Sequence, residues 1–183
     1  METAIEKSDK ELMMDVAKGD MEAFTQLVRR HQVAVWRSAY RFIGDATEAE
    51  DIAQETFVRV FEASSRYKPT ASFRTYLYCI LNRLCLDHVR KMRPIPTNEL
   101  PEVKDPSPSP DETTSRKERD ALIHEAVSAL PPNQRMAIVL RYFEGLGWAE
   151  IAEAIGVSLK AVERLLARGR QTMEDRLSAF IKK

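Results

Sequence analysis

"WAEIAEAIGVSLKAVERLLAR", residues 148–168, contains two short helical patterns that are separated by a turn. Four apolar residues recur at the spacing with which two crossing helices clamp each other: Ile151, Ile155, Val162 and Leu165. Gly156 stands at the turn, where a left-handed backbone is easiest for a residue without a Cβ atom. The stretch therefore predicts a helix-turn-helix, a motif that places its second helix in the major groove of DNA.

The second helix of this motif carries a row of cations, Lys160, Arg164 and Arg168, at positions i, i+4 and i+8. Side chains at this spacing share one face of a helix, and packing alone does not require them to be basic. We expect Lys160 and Arg164 to approach base edges. Arg168 and Arg170 would lie nearer phosphates, and Ser158 can both cap the helix and donate to a phosphate. The alternative interpretation is an ordinary helical hairpin with a solvated basic face.

The composition of the chain fits a protein with local basic patches rather than a basic protein. It has 183 residues and a formal net charge of zero, with 28 basic and 28 acidic residues. Seven basic residues and one acidic residue lie between positions 66 and 93, and four basic and one acidic between 156 and 170. Phosphates respond to charge at this short range, because salt screens charges beyond about 10 Å.

Three features of the sequence argue against a disulfide-bonded, metal-binding or secreted protein: its cysteines, its histidines and its N-terminal segment. Cys79 and Cys85 lie six residues apart in one helical stretch and point to different faces, so we expect two reduced thiols. The three histidines are scattered and no CxxC occurs, so neither a metal site nor a cofactor is expected. The charged N-terminus lacks the apolar segment of a signal peptide, and we expect a cytoplasmic protein.

A proline-rich segment divides the chain. Six of the nine prolines lie between Pro94 and Pro110, in a stretch with few apolar residues. The predicted organisation is a first domain over residues 1–93, a flexible linker over 94–114 and a second domain over 115–183.

Both domains have helical periodicity and no convincing strand alternation. Capping boxes are predicted at Ser8–Glu11, Thr47–Glu50 and Ser115–Glu118. A long helix is expected over about residues 73–91, with Phe73, Leu77, Ile80 and Leu84 as its buried stripe. Further helices are expected near 116–129, 132–143, 148–154 and 159–180. The predicted fold class is all-α, with two small helical domains, the second of which contains the helix-turn-helix.

A basic and aromatic stretch, "RYKPTASFRTYLYCILNRLCLDHVRKMR", ends the first domain at residues 66–93. Aromatic rings stack on unpaired bases while cations follow the backbone, so the mixture suits single-stranded DNA. The alternative is that Phe73 and one tyrosine belong to the core and the basic end complements the helix dipole. The preceding helix has an acidic face that contains Asp51, Glu55 and Glu62. This face is either simply solvated or the contact surface for a basic protein partner.

Three segments together resemble an extracytoplasmic-function (ECF) sigma factor of the sigma-70 family of bacterial RNA polymerase. "EAEDIAQETFVRVF" is similar to region 2.2 of that family, and "SFRTYLYCILNRLCLDHVRK" is similar to regions 2.3 and 2.4. The stretch "LPPNQRMAIVLRYFEGLGWAEIAEAIGVSLKAVERLLARGRQTM" is similar to region 4. The likeness covers both domains and the linker, in the order of the family.

The resemblance implies a role for each segment. The region 2.2 helix would bind core RNA polymerase through Asp51, Gln54 and Glu55. The region 2.3–2.4 segment would bind the −10 promoter element, including its single strand, through Arg66, Tyr67, Lys68, Phe73, Tyr76, Asn82, Arg83, Asp87 and Arg90. Region 4 would read the −35 element through Ser158, Leu159, Lys160, Glu163, Arg164, Arg168 and Arg170. Within this set, Glu163 either accepts from a cytosine amine or pairs near Arg164. An anti-sigma factor is the further partner implied.

The alternative interpretations are three other classes of protein. A conventional helix-turn-helix regulator that acts without core polymerase would leave the acidic helix and the aromatic strip without a role. An adaptor that binds only proteins would show no salt-dependent affinity for DNA. An enzyme is not expected, because the sequence has no glycine-rich phosphate loop, nucleophile elbow or paired-ligand spacing. His124, on an apolar helix, is expected to be structural.

Overall fold

The computed structural model describes residues 7–92 and 114–181, with side chains in the second range described for 120–178. These residues form helices and turns, with no strand among them. The helices are α1 (Asp9–Val16), α2 (Met21–Ile43), α3 (Ala46–Glu62), α4 (Phe73–Met92), α5 (Thr114–Ser128), α6 (Pro132–Ile138), α7 (Trp148–Ile155) and α8 (Leu159–Ile181). The all-α prediction is confirmed. Within the described ranges, no helix is long and apolar enough to cross a membrane.

Helices α1–α4 form the N-terminal module, and local capping explains where three of them begin. The capping box at Ser8 is confirmed, since the Glu11 amide donates to Ser8 Oγ and the Ser8 amide donates to the Glu11 carboxylate. The Asp20 carboxylate caps α2. The box at Thr47–Glu50 is wrong, because α3 begins earlier and Asp45 accepts from the Glu48 amide at 2.9 Å. The box at Ser115–Glu118 lies outside the described side chains.

The predicted long helix is confirmed as α4, but its buried surface is wider than expected. Phe73 and Leu77 are buried, whereas Ile80 and Leu84 are only partly buried. The fully buried residues also include Tyr78, Leu81, Asn82 and Cys85. The physical reason is that α4 packs against α2 and α3 on one side and against α7 on another. A single stripe at helical spacing cannot represent a helix with two buried sides.

Helices α5–α8 form the C-terminal module, and its helix-turn-helix consists of α7 and α8. Gly156 ends α7 with a φ of 77°, in the left-handed region that favours glycine, and its amide donates to the Ala152 carbonyl. Ile151 and Val162 are fully buried between the helices. The helix expected over 132–143 is α6 followed by one π-helical turn, Val139–Phe143.

The two modules pack against each other. The Arg135 guanidinium of α6 donates to the Phe42 carbonyl at 2.5 Å, near the C-terminal end of α2. His124 of α5 lies against Tyr40 of α2, with 5.2 Å between ring centroids. Helix α7 lies along α4. Residues 94–113 of the predicted linker fall outside the described residues.

Candidate nucleic-acid interface

The second helix of the helix-turn-helix presents its cationic row to solvent. The Ala161 amide donates to Ser158 Oγ at 3.2 Å, so Ser158 caps the start of α8. The whole set of candidate −35 residues is exposed: Ser158, Leu159, Lys160, Glu163, Arg164, Arg168 and Arg170. The exposed apolar side chain of Leu159 lies next to the row in sequence. This surface combines cations, a hydroxyl and an apolar side chain, which are the groups that contact phosphates, base edges and thymine methyl groups.

The candidate −10 residues fall into three groups by exposure. Five are exposed, namely Arg66, Lys68, Arg83, Asp87 and Arg90. Tyr67 and Tyr76 are partly buried, and Phe73 and Asn82 are buried. The cations are therefore accessible to a nucleic-acid backbone, while two of the nine candidates are not accessible in this arrangement.

The aromatic residues of this set form one cluster at the start of α4. Tyr67 meets Tyr76 edge to face, with 5.1 Å between ring centroids, and Phe73 lies 6.4 Å from Tyr76. Phe73 also meets His31 at 5.3 Å, so it belongs to the core of the N-terminal module. Burial raises the pKa of both tyrosine hydroxyls above the usual value.

Asn82 faces the C-terminal module. Its Nδ2 donates to the Ala154 carbonyl of α7 at 3.4 Å. Its Oδ1 is buried and has no hydrogen-bond partner among the described residues. A base could reach this amide only if α7 moved away from α4.

The outer face of α3 is acidic and exposed. Asp51 and Gln54 are exposed, and Glu55 is partly exposed and accepts from Arg59 Nε at 2.6 Å. Two apolar side chains lie on the same outer surface, Val58 at 47% exposure and Phe61 at 39%. Acidic groups around accessible apolar side chains are typical of a surface that binds a protein partner with basic residues.

Sequence reasoning missed a polar cluster that joins the two modules. Glu144 is buried and its carboxylate accepts from Tyr78 Oη at 2.5 Å and from Ser38 Oγ at 2.7 Å. Arg74 Nη2 lies 3.4 Å from the same carboxylate. Burial, together with the bond to Glu144, raises the pKa of Tyr78 well above its usual value. A glutamate in a helical stretch gives no sequence signal for such burial, because charged residues are mostly exposed.

Within the described part of the chain, no group of three or more histidine, cysteine or acidic side chains is arranged to hold a metal ion. Cys79 is partly buried and Cys85 is fully buried, and both thiols are free. Burial raises the pKa of the Cys79 thiol.

Comparison with known proteins gives matches in both modules. Residues 27–94 match the family model described as Sigma-70 region 2, and residues 120–173 match that described as Sigma-70, region 4. "ECF RNA polymerase sigma factor SigE" of Mycolicibacterium smegmatis is 39% identical, with 88% of this chain and 65% of that protein covered. "ECF RNA polymerase sigma factor SigW" of Bacillus subtilis is 30% identical, with 97% and 98% covered.

Solved structures agree with these matches. The structure of CnrH in complex with the cytosolic domain of CnrY gives a TM-score of 0.75 at 28% identity, covering 94% of this chain and 99% of that one. The sigma factor RpoE of Bartonella quintana, in complex with the anti-sigma factor NepR, has the same fold, with a TM-score of 0.64, 18% identity, and 85% and 96% covered. Both regions match in order and the likeness extends over nearly the whole of several relatives, so the chain belongs to the extracytoplasmic-function sigma factors of the sigma-70 family.

Proposed function

We propose that this chain is a promoter-specificity subunit that binds core RNA polymerase in the cytoplasm, directs it to specific promoters and promotes initiation, without catalysing a reaction itself. The observation that carries the proposal is the exposed cationic row on α8, in a chain whose other module presents a separate cationic strip and an acidic face. We assign these tasks to a first domain over 1–93 and a second over 115–183, joined by a linker over 94–114.

The second domain would recognise the −35 element. Helix α8 would enter the major groove, where Lys160 and Arg164 meet base edges and Leu159 suits a thymine methyl group. Arg168, Arg170 and Ser158 would contact phosphates. Glu163 is exposed beside this cationic row, where it would accept from a cytosine amine.

The first domain would bind the −10 element as an opened strand. Exposed cations such as Arg66, Lys68 and Arg83 would follow the backbone, and the tyrosines at the start of α4 would stack on bases. A surface that binds unstacked bases more tightly than duplex shifts the equilibrium between duplex and opened DNA towards the opened form. The size of the shift equals the difference between the two binding free energies. Asn82 and Phe73 would contribute only after rearrangement of their present contacts.

The acidic face of α3 would bind core polymerase. Asp51, Gln54 and Glu55 supply carboxylates and an amide, and Val58 and Phe61 supply apolar area that a partner can cover. An anti-sigma factor is proposed as a second partner, supported by the similarity to CnrH and to RpoE, which were solved in complex with CnrY and NepR. A helix-turn-helix regulator that acts without polymerase is not favoured, because it leaves this face without a function.

The direct test is promoter-dependent run-off transcription with purified core polymerase, with and without this chain. We expect stimulation on a subset of genomic promoter fragments. The double variant Asp51→Ala, Gln54→Ala should lose core binding in a pull-down and lose transcription, while its affinity for −35 duplex stays at the wild-type level. Loss of both activities would indicate misfolding, and unchanged core binding would contradict the assignment of α3.

A further inference from the structure

Helix α1 reaches the start of α4 through Asp9, a residue of its first turn. The Asp9 carboxylate accepts from His31 Nε2 of α2 at 2.7 Å and from Arg30 Nη1 at 2.8 Å. A carboxylate has no hydrogen to donate, so this bond fixes which nitrogen of His31 carries one and holds the ring in one orientation. The oriented ring packs against Phe73, with 5.3 Å between centroids. Asp9 therefore acts on the first residue of α4 through His31.

Phe73 connects this contact to the two tyrosines of the aromatic cluster. It is 3% exposed, so a nucleic-acid strand does not reach it. Its ring lies 6.4 Å from that of Tyr76, which meets Tyr67 edge to face at 5.1 Å. Both tyrosines are partly exposed, and a base can approach them. Closely packed rings transmit a displacement from one to the next, so the orientation of His31 affects the rings that a base would meet.

Asp9 also acts on Tyr67 through its charge. Burial is the main cause of the raised pKa of Tyr67, and the neighbouring Tyr76 and the Asp9 carboxylate raise it further. The Tyr67 hydroxyl is buried and has no hydrogen-bond partner among the described residues. No bond of its own therefore fixes the position of this ring, which depends on the groups packed around it.

The loop before α4 makes such support necessary. Tyr67 follows a short 3-10 turn, Ser64–Arg66, against which α1 packs. Residues 67–72 form neither helix nor strand. The Thr70 amide donates to the Lys68 carbonyl at 2.8 Å, but this bond lies within the loop and does not tie it to a helix. Contacts with α1 and α2 thus help to determine where the loop presents its tyrosine.

We propose that Asp9 and His31 are positioning residues, which hold the tyrosines of the aromatic cluster where unpaired bases of the −10 strand stack. The inference rests on the proposed function of the first domain. Neither residue touches the strand. Asp9 orients His31, and the packed rings carry that orientation to the surface.

The affinity of the full-length chain for single-stranded DNA tests the inference. The probe is a fluorescein-labelled non-template strand that spans the −10 element of a promoter selected in the run-off assay. Asp9→Ala should bind it at least about fivefold more weakly than the wild type, the lower end of the loss for one unstacked base. The matched control is Asp15→Ala, which removes another carboxylate of α1, paired with Lys7 at 2.7 Å and Lys18 at 3.1 Å. It should bind the strand as the wild type does. Both variants should keep wild-type core binding and −35 duplex affinity.

Double variants separate positioning from a general loss of structure. In the background Tyr67→Leu, which lacks one of the positioned rings, Asp9→Ala should lose most of its effect on strand affinity. In the background Arg83→Ala, which lacks an exposed cation, it should keep its full effect, because the two contributions are independent. His31→Gln still has a donor for Asp9 but no ring against Phe73. It should weaken strand binding as Asp9→Ala does, and the two changes together should cost no more than either alone.

Three outcomes would overturn the inference. The first is that Asp9→Ala binds the strand as tightly as Asp15→Ala. The second is an equal effect of Asp9→Ala in the Tyr67→Leu and Arg83→Ala backgrounds. The third is loss of core binding in Asp9→Ala, which would make Asp9 a residue of the fold alone. If the wild-type chain binds core polymerase but not the labelled strand, the proposed −10 function itself fails, and the inference with it.

Discussion

At the scale of single residues, the side chains that we expect to contact DNA fall into two groups. Some face solvent, and others are buried in contacts within the protein. Arg164 belongs to the first group, with its Nε 3.3 Å from the Lys160 carbonyl and its charge exposed. Asn82 and Phe73 belong to the second. Exposure thus separates residues that can contact DNA in this arrangement from those that are covered by other parts of the chain.

Arg164→Ala should weaken binding of −35 duplex by about 1–3 kcal/mol, because one bidentate contact to a guanine would be lost. Fluorescence anisotropy with labelled duplexes measures the change. The loss should be smaller on a duplex whose contacted guanine is replaced. Arg176→Ala, at an exposed site further along α8, is the control and should leave affinity unchanged. An equal loss on every duplex would mean that Arg164 contacts phosphate only.

At the scale of elements, the C-terminal module depends on the close approach of α6 and α8. Gly169 of α8 is buried against Ile138 of α6, and a Cβ atom added at Gly169 would lie 2.8 Å from Ile138 Cγ1. The glycine is thus needed for packing rather than for a special backbone angle. Its position lies one turn from Leu166, which is also buried in this core.

Gly169→Ala should lower the free energy of unfolding. Overpacking lowers the free energy of unfolding by about 1–3 kcal/mol, whereas the better helix propensity of alanine raises it by up to about 1 kcal/mol. In the background Ile138→Ala, which removes the clashing atoms, the same change should become stabilising. Urea unfolding followed by circular dichroism measures both differences. If Gly169→Ala changes the free energy of unfolding by the same amount in the wild-type and Ile138→Ala backgrounds, α6 and α8 do not approach each other this closely in solution.

At the scale of the whole molecule, a neutral chain concentrates its cations where DNA would bind. The net charge is zero, yet four basic residues and one acidic residue lie between positions 156 and 170. Counterions are released locally from the phosphates that such a patch contacts, so the total charge of the protein does not set the salt dependence of binding.

Binding of −35 duplex should weaken as salt concentration rises, with a linear fall of the logarithm of the association constant. Arg170→Ala should reduce the magnitude of this slope by about one and lower affinity similarly on all sequences. Titrations at several potassium chloride concentrations provide the measurement. A slope that does not change would show that Arg170 lies away from the backbone.

Sequence patterns predicted the elements well and their mutual packing poorly. The helix-turn-helix was predictable because Gly156 and the apolar clamp act locally. The start of α3 was misplaced because Asp45 and Thr47 are both good capping residues, and only the backbone path selects between them. The contact between Ser38 and Glu144 spans 106 positions and has no periodicity, so no pattern could reveal it. The packing of α7 over α4 depends on such long-range contacts, so the burial of Asn82 has no signal in the sequence.

The π-helical turn at Val139–Phe143 has a consequence for how insertions and deletions would act on this chain. The Glu144 amide donates to the Val139 carbonyl at 3.2 Å, five residues back, so the turn accommodates one residue more than an α-helical turn would. Deleting one residue here would restore ordinary helical winding and rotate the following side chain by about 100° around the axis. The Glu144 carboxylate would then point away from Tyr78, so a length change of one amino acid would remove its hydrogen bonds to the N-terminal module.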